Sequence, residues 1–480
     1  MLQNLKQFIA ALEAKGDLKR VSVEVDPKLE ITEIADRVSK ARGPALLFEK
    51  VRGYKYPVLI NAFGSVGRME MVFDNRPVDA VAAKIETLLK TKPPEGIAGK
   101  IKTLFTLKEV ADLFPKKVKS GPCQEVILGP DSGLLDLLPI LTCWPGDGGP
   151  FVTLPVVITK DPDTGTQNLG MYRMHKYDKA TTGMHWQYNK DGARHYDKSR
   201  NAGRRLEVAV ALGGSPAVTY AATAPLPPDV DEMMLAGFVN NRAIEIVKGK
   251  TVDLYVPAES DFVIEGYVDP AEERIEGPFG DHTGFYSAAD MYPVVHVTCV
   301  TCRKEAVYPA TVVGKPPMED CYMAKATERL FLPMLKMVVP EIVDMELPFE
   351  GVFHNCALVS IDKKHPGQAK KVISALWGLG QMSSTKFIAV FDKDIDLRDS
   401  STVVWKLLNN VDPRRDILFS EGPLDALDHS APFANFGGKM GFDATRKTKE
   451  EGMGRPWPEE IVMSPDIREM VSRRWKEYGF

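Results

Sequence analysis

The run YPVVHVTCVTCRKEAVYPATVV, residues 292–313, carries valine, threonine and tyrosine at a density that suits a pleated, half-buried surface. Similar short runs recur upstream: VVIT (156–159), LEVAVALG (206–213), AVTYAAT (217–223), IEIVKG (244–249), LYVPA (254–258) and FVIEGYV (262–268), separated by Gly, Pro and Asp turns. Many short strands at close spacing predict a barrel or a curved sheet across residues 124–315. Cys299 and Cys302 form a CxxC inside this run, but no second CxxC or His pair follows at a zinc-finger distance, so the two are read as core.

Outward from that centre the pattern changes. Leu5, Phe8, Ile9 and Leu12 lie on one face of a predicted N-terminal helix, and Ile31, Ile34, Ala35 and Val38 on a second, before strands in PALLFEKV and YPVLINAF. Residues 73–120 are Lys- and Pro-rich (KTKPPEG, FPKKVKSGP), which predicts helices joined by exposed loops. Beyond the centre, MEDCYMAKATERLFLPMLKMVVPEIVDMELP reads as a connecting helix that Pro333 kinks or ends. Then CALVSIDKKH, GQAKKVISALWGLG, KFIAVFDKDID and SSTVVWKLLNNV alternate strand and helix, as an α/β layer domain does. GGKMGFDATRK and SRRWKEYGF read as loop and terminal helix.

With 480 residues the chain exceeds the roughly 250–300 at which one core stops growing. We therefore expect an α+β or α/β multidomain protein, with an N-terminal α/β domain over 1–117, a strand-rich domain over 118–316, a linker helix over 317–344 and a C-terminal α/β domain over 345–480. A net charge of -4 gives no basic excess for nucleic acid or an anionic membrane. The N-terminus is neither a signal peptide nor a span, and six cysteines without regular spacing fit a reducing cytoplasm.

Four stretches could carry chemistry. In NLGMYRMHKYD (168–178), an unbroken strand would put Asn168 and Arg173 on opposite faces, and alone Arg173 reads as a rim salt bridge. TTGMHWQYNKDGARHY (181–196) gathers polar-tipped aromatics, amides and charges in a strand and turn, a composition suited to stacking a planar ring or to a wet hairpin. In APLPPDVDEMMLAGFVNNR (224–242), Glu232 opens a helix, where the dipole favours an acid in any case. EGPFGDHTG (276–284) sets Glu276 and Asp281 around a predicted type I turn, the stiffness a general acid requires.

Together these stretches resemble the UbiD-type decarboxylases, which use prenylated FMN. The resemblance rests on LEITEIADR, GPALLFE, TCWPGDGGP, NLGMYR, EGPFGDHTG and KMGFDATRK in family order. It implies that the strand-rich domain is a split β-barrel of the flavin-reductase-like kind that holds the flavin, and that the C-terminal domain serves oligomerisation into a homodimer or homohexamer. It implies that Asn168 and Glu232 bind a divalent metal, manganese or magnesium, with potassium as a further ion. Asn189 stands where many members carry a third, histidine ligand. Met171, Tyr172 and Arg173, then His185, Trp186 and Gln187 with Lys190 and Asp191, match the cofactor-binding segments.

Arg173, Glu276 and Asp281 match the catalytic trio, with Asp281 as proton donor. An arginine beside two carboxylates is expected to keep one ionised while repulsion raises the other. His282 has no assigned chemistry and reads as turn packing. The implied reaction is reversible, non-oxidative decarboxylation of a 4-hydroxybenzoate-like acid, polyprenylated or not, with CO2 as product and a flavin prenyltransferase as cofactor supplier. Loss of CO2 from an sp² carbon needs such an electron sink. The alternatives are a carboxylase of anaerobic ring catabolism, a non-catalytic flavin-binding subunit, and a paired-carboxylate glycosidase.

Overall fold

The computed structural model describes residues 1–89, 112–187, 190–226 and 230–480. The helix Leu5–Ala14 buries Leu5, Phe8, Ile9 and Leu12, as their spacing requires, and the Asn4 side chain caps it by accepting from Gln7 N. β1 (Leu18–Val25), β2 (Ala45–Val51) and β3 (Val58–Ile60) form a sheet, with the helix Glu30–Lys40 between β1 and β2. The helices Val66–Val72 and Val78–Leu89 follow. Of the Lys- and Pro-rich stretch, KTKPPEG lies outside the described residues. FPKKVKSGP, expected as loop, contains a three-residue edge strand, β4 (Lys116–Val118).

The central sheet is built from β5 (Val126–Leu128), β6 (Phe151–Val152), β7 (Val156–Lys160), β8 (Gln167–Met171), β9 (Met174–Lys176), β10 (Thr181–Met184) and β11 (Leu206–Leu212), with two long strands described below. β12 (Glu245–Lys248) and β13 (Tyr255–Pro257) pair with β4 in a separate three-stranded sheet. The long strands β14 (Phe262–Glu276) and β17 (Asp290–Cys302) flank the hairpin of β15 (Phe279–Gly280) and β16 (Tyr286–Ser287). The order β6-β9-β10-β17-β14-β11-β7-β8, with β5 beside β17, makes a nine-stranded sheet that curls into a half barrel. Register shifts in β14 at Glu265/Gly266 and Val268/Glu273 give it the bulges that such curvature requires. β18 (Tyr308–Pro309) runs parallel to β3 and so extends the N-terminal sheet.

Two strand readings fail here. AVTYAAT belongs to a helix, Pro216–Ala221, buried throughout. Gly213 and Gly214 adopt φ of +78 and +83, which ends β11, and Pro216 sits in the first helical turn, where its missing N–H costs nothing. At the end of the 292–313 run, where YPATVV was read as strand, only Tyr308 and Pro309 pair, as β18. The CxxC reading holds: all six cysteines are free, and Cys299 and Cys302 are buried in β17.

The connecting helix Glu319–Val338 runs through Pro333, and the EIVDME that follows it is strand instead. β19 (Ile342–Glu346), β20 (Cys356–Ile361), β21 (Phe387–Asp392), β22 (Ile417–Pro423) and β23 (Phe436–Asp443) form a sheet in the order β19-β20-β21-β23-β22. β20, β21 and β23 are parallel, and the helices Gln368–Trp377 and Ser400–Asn410 alternate with them as expected. The core lies on both faces, with Val359, Val390 and Ile373 on one and Leu358, Phe391 and Val403 on the other. GGKMGFD is therefore an inner strand, not loop. Its glycines hide the alternation, and Gly441 leaves room for the Ile373 side chain.

Candidate active site

Tyr172 and Arg173 occupy the break between β8 and β9, so strand parity between Asn168 and Arg173 does not carry through. From that break Arg173 reaches two carboxylates. Its Nε donates to Glu276 Oε1 at 2.7 Å and its Nη2 to Glu276 Oε2 at 3.0 Å, while Nη1 donates to Asp281 Oδ2. Nη2 also donates to Ser287 Oγ at 3.0 Å, and the guanidinium lies 4.8 Å from the centre of the Phe279 ring. Arg173 and Asp281 expose 8% and 10% of their side chains and Glu276 none, which rules out the rim salt bridge.

Both carboxyls are held ionised. Burial alone raises Glu276, but hydrogen bonds from His185 and Arg173 outweigh it and hold the group at about 2. For Asp281 burial is likewise outweighed, by His282 and by the Arg173 charge, and the carboxyl sits well below the usual range. The expected split, one acid up and one down, is thus overturned for the site as it stands. Arg173 lies between the two carboxylates, so attraction exceeds their mutual repulsion.

The turn that carries them is not type I. Gly277 has φ +87, the Gly277–Pro278 bond is cis, and Phe279 and Gly280 are already paired as β15. TCWPGDGGP clamps it. Asp147 Oδ1 accepts from Gly280 N at 2.8 Å, its Oδ2 accepts from Cys143 N and Trp144 N, and Gly148 N donates to Pro278 O. A side chain at Gly280 would collide with Trp144.

The segment expected to be strand and turn splits into β10 and a helix, Asp191–Asn201. His185, just past β10, places Nδ1 3.1 Å from Glu276 Oε2 and stacks on Tyr292 at 4.4 Å. Trp186 packs against Tyr196, and its buried Nε1 has no partner among the described residues. Gly192 N lies 3.4 Å from the Tyr172 hydroxyl, joining the two predicted cofactor segments. Gln187 O accepts from Lys190 N, burial lowers the Lys190 ammonium against the pull of Asp425 and Asp191, and Asp191 pairs with Arg194 at 2.8 Å. Met171 N donates to Ala222 O, fixing the end of β8. Asn189 lies outside the described residues.

A second cluster forms where β8 meets the helix Glu232–Asn240, which Asp231 caps by accepting from Met233 N. Glu232 Oε1 accepts from Asn168 Nδ2 at 2.8 Å and Oε2 from Leu169 N at 3.0 Å. Asn168 Oδ1 is buried with no hydrogen-bond partner among the described residues, and burial pushes Glu232 up to about 7. Both residues line a small pocket with Asp191 and His195. An orphaned amide oxygen beside a buried carboxylate is a donor set that fits a hard divalent cation.

The sequence reading missed His282. Its Nδ1 lies 2.9 Å from Asp281 Oδ1, and its Nε2 lies 2.8 Å from Nε2 of His354, in the loop before β20. It also missed Asp147, which lies inside the quoted TCWPGDGGP, Tyr292, the first residue of the 292–313 run, and Ser287, three residues beyond EGPFGDHTG.

The three domains have counterparts in known proteins. Family models for the N-terminal, Rift-related and C-terminal domains of 3-octaprenyl-4-hydroxybenzoate carboxy-lyase match residues 9–89, 116–316 and 321–444. The chain belongs to the UbiD family and is an enzyme of the carboxy-lyase class. An uncharacterised protein of Archaeoglobus fulgidus is 48% identical over 477 residues, 99% of this chain and 98% of its own. One from Aquifex aeolicus is 49% identical over 480 residues, 99% of each. Among solved structures, the UbiD-class enzyme HmfF of Pelotomaculum thermopropionicum in complex with FMN is 31% identical, with TM-score 0.82 over 97% of this chain and 98% of that one. Vanillic acid decarboxylase of Sedimentibacter hydroxybenzoicus in its closed form is 26% identical, with TM-score 0.85 over 100% and 99%. Family membership removes the glycosidase alternative.

Proposed function

We propose that this enzyme catalyses reversible, non-oxidative decarboxylation of a 4-hydroxybenzoate-like aromatic acid with prenylated FMN and a divalent metal, Mn²⁺ or Mg²⁺. The observation that carries the reading is the buried fork of Arg173 on Glu276 and Asp281, set beside the His185–Gln187 segment. HmfF, solved with FMN and in an evolved form with prenylated FMN, and the vanillic acid decarboxylase support the cofactor and the aromatic substrate class.

When bound, the cofactor supplies the electron sink that loss of CO2 from an sp² carbon requires. Asn168 Oδ1 and Glu232 would hold the cation, which would supply positive charge against the glutamate and an anionic cofactor group. Tyr172 and Trp186 belong to the two segments that would lie along the cofactor. Arg173, braced by Glu276, orients the acid, and His185 keeps Glu276 ionised. Asp281 carries a proton to the carbon that has lost CO2, and must be loaded with it first, because His282 and Arg173 hold its carboxyl well below the usual range. Burial of the three groups excludes bulk water.

The exposed Val404, Trp405 and Leu408 of the helix Ser400–Asn410 support a homodimer or homohexamer, to be read by light scattering. Among the described residues no helix is long and apolar enough to cross a membrane.

The test is purification after co-expression with a flavin prenyltransferase, followed by the absorption spectrum and by CO2 exchange on hydroxybenzoates with and without a polyprenyl chain. A flavin spectrum with exchange on a hydroxybenzoate supports the reading, and the exchange assay reads carboxylation as well as decarboxylation. A colourless protein that binds no FMN overturns it.

A further inference from the structure

His282 follows Asp281 directly and belongs to neither the Arg173 fork nor the metal pocket. The Asp281 carboxylate uses its two oxygens differently: Oδ2 takes Arg173 Nη1, while Oδ1 takes both the backbone N–H of His282 and its ring Nδ1. A carboxylate only accepts, so His282 Nδ1 carries a proton. The other ring nitrogen faces His354 Nε2 at 2.8 Å, and such a contact holds one proton, not two and not none. Phe353 stacks on the His282 ring at 5.2 Å and fixes its plane.

The charges around this pair decide where the shared proton sits. His282 faces Asp281 on its own turn, with Arg173 behind it, Asp320 at the start of the helix Glu319–Val338, and Asp425 from the segment after β22. His354 faces His282, Asp425 and Asp428. Burial lowers His282, but Asp281 and the other acids outweigh it and raise the imidazole above its ordinary value, while burial and the His282 charge drive His354 down to about 4. The resting arrangement is an ionised Asp281, a His282 imidazolium and a neutral His354 that accepts at Nε2.

We infer that His282 is the proton reserve that recharges Asp281, and that His354, presented by the C-terminal domain, holds His282 in the charged form and the right orientation. The inference rests on the proposed decarboxylation. In each turnover the bond from the ring carbon to the carboxylate breaks, CO2 leaves, and a C–H bond forms with the proton of Asp281. Asp281 Oδ1 then takes the Nδ1 proton of His282, and His282, with 18% of its side chain exposed, regains one proton from solvent. One proton is consumed per CO2 released. Neither histidine touches a reacting atom: both act through Asp281. The bridge also joins the 276–284 turn to the 349–355 loop, so the reserve is complete only with the C-terminal domain docked as seen here.

Two measurements test this. With eight histidines in the chain, ¹⁵N-histidine labelling of the full-length, cofactor-free protein resolves each ring, assigned by single substitutions. His282 is expected to be doubly protonated at pH 7 and to titrate above its ordinary value of about 6.5. His354→Gln, whose amide oxygen can still accept, should preserve that state, and His354→Leu should lower the His282 pKa. In the holoenzyme His354→Leu should cut kcat at pH 7 about tenfold or more at unchanged KM and move the high-pH limb of the rate profile towards acid, with His354→Gln close to wild type. His282→Gln should slow turnover and make it respond to added imidazole. A neutral His282 at pH 7, or a His354→Leu profile that overlays wild type, overturns the inference. A wild-type holoenzyme that turns over no aromatic acid fails the proposed function instead, and the NMR result then decides the reserve by itself.

Discussion

Glu276 and Glu232 are glutamates of the same central domain, 0% and 5% exposed, yet they sit on opposite sides of the ordinary carboxyl range. Glu276 is held at about 2 and Glu232 is pushed up to about 7. Burial acts on both in the same sense. Glu276 has a bidentate guanidinium and an imidazole against it, whereas among the described residues Glu232 takes an amide N–H and a backbone N–H. A buried carboxylate with a cation built in is a finished device. One that has hydrogen bonds and a neighbouring amide oxygen orphaned among the described residues is a donor set into which an added positive charge fits.

That contrast can be broken most sharply at Arg173. Arg173→Met strands two buried carboxylates, so catalysis should be lost and stability fall by about 3–5 kcal/mol, read by turnover and denaturant melts. Arg173→Lys should not rescue it, because an ammonium cannot reproduce the fork. Next, Asp281→Asn should lower kcat about 10²–10⁴-fold while leaving the flavin spectrum intact. An unchanged rate would remove the proton-donor role.

On the other side of the comparison, Mn²⁺ at about a hundred times its Kd should stabilise the wild type by ~2.7 kcal/mol in thermal melts. Neither Glu232→Gln nor Asn168→Ala should show this gain. If either does, the metal assignment falls. The smallest effect is in acid. Glu276 and Asp281 are depressed in the folded state, so their contribution is present above the ordinary carboxyl pKa of about 4 and is lost as pH falls through their folded values. Melting temperature should decline from about pH 4.5 towards 2, and Glu276→Gln should flatten that decline.

Much of the site was legible because its residues fall in short, chemically loaded stretches. NLGMYR and EGPFGDHTG supply the Arg173 fork, and Glu232 follows a helix-start signal. The errors have local causes. AVTYAAT has the β-branched content of a strand, but Gly213 and Gly214 stop β11 and burial makes the segment a helix. GGKMGFD has too many glycines to show alternation, yet its backbone pairs on both sides. The expected split in carboxyl pKa failed because Arg173 was expected to favour one acid, whereas its guanidinium bonds to both and each acid also has a histidine against it.

The sequence by itself determined a multidomain α/β chain with a barrel or curved sheet at its centre, because periodicity and turn chemistry are local properties, whereas the members of both clusters were implied by the family resemblance. Only the tertiary structure decided that Arg173 spans two acids, that Asn168 Oδ1 finds no partner among the described residues, and that His282 meets His354 across two domains. Each of those depends on distances between residues tens to more than a hundred positions apart, and on how much water reaches them.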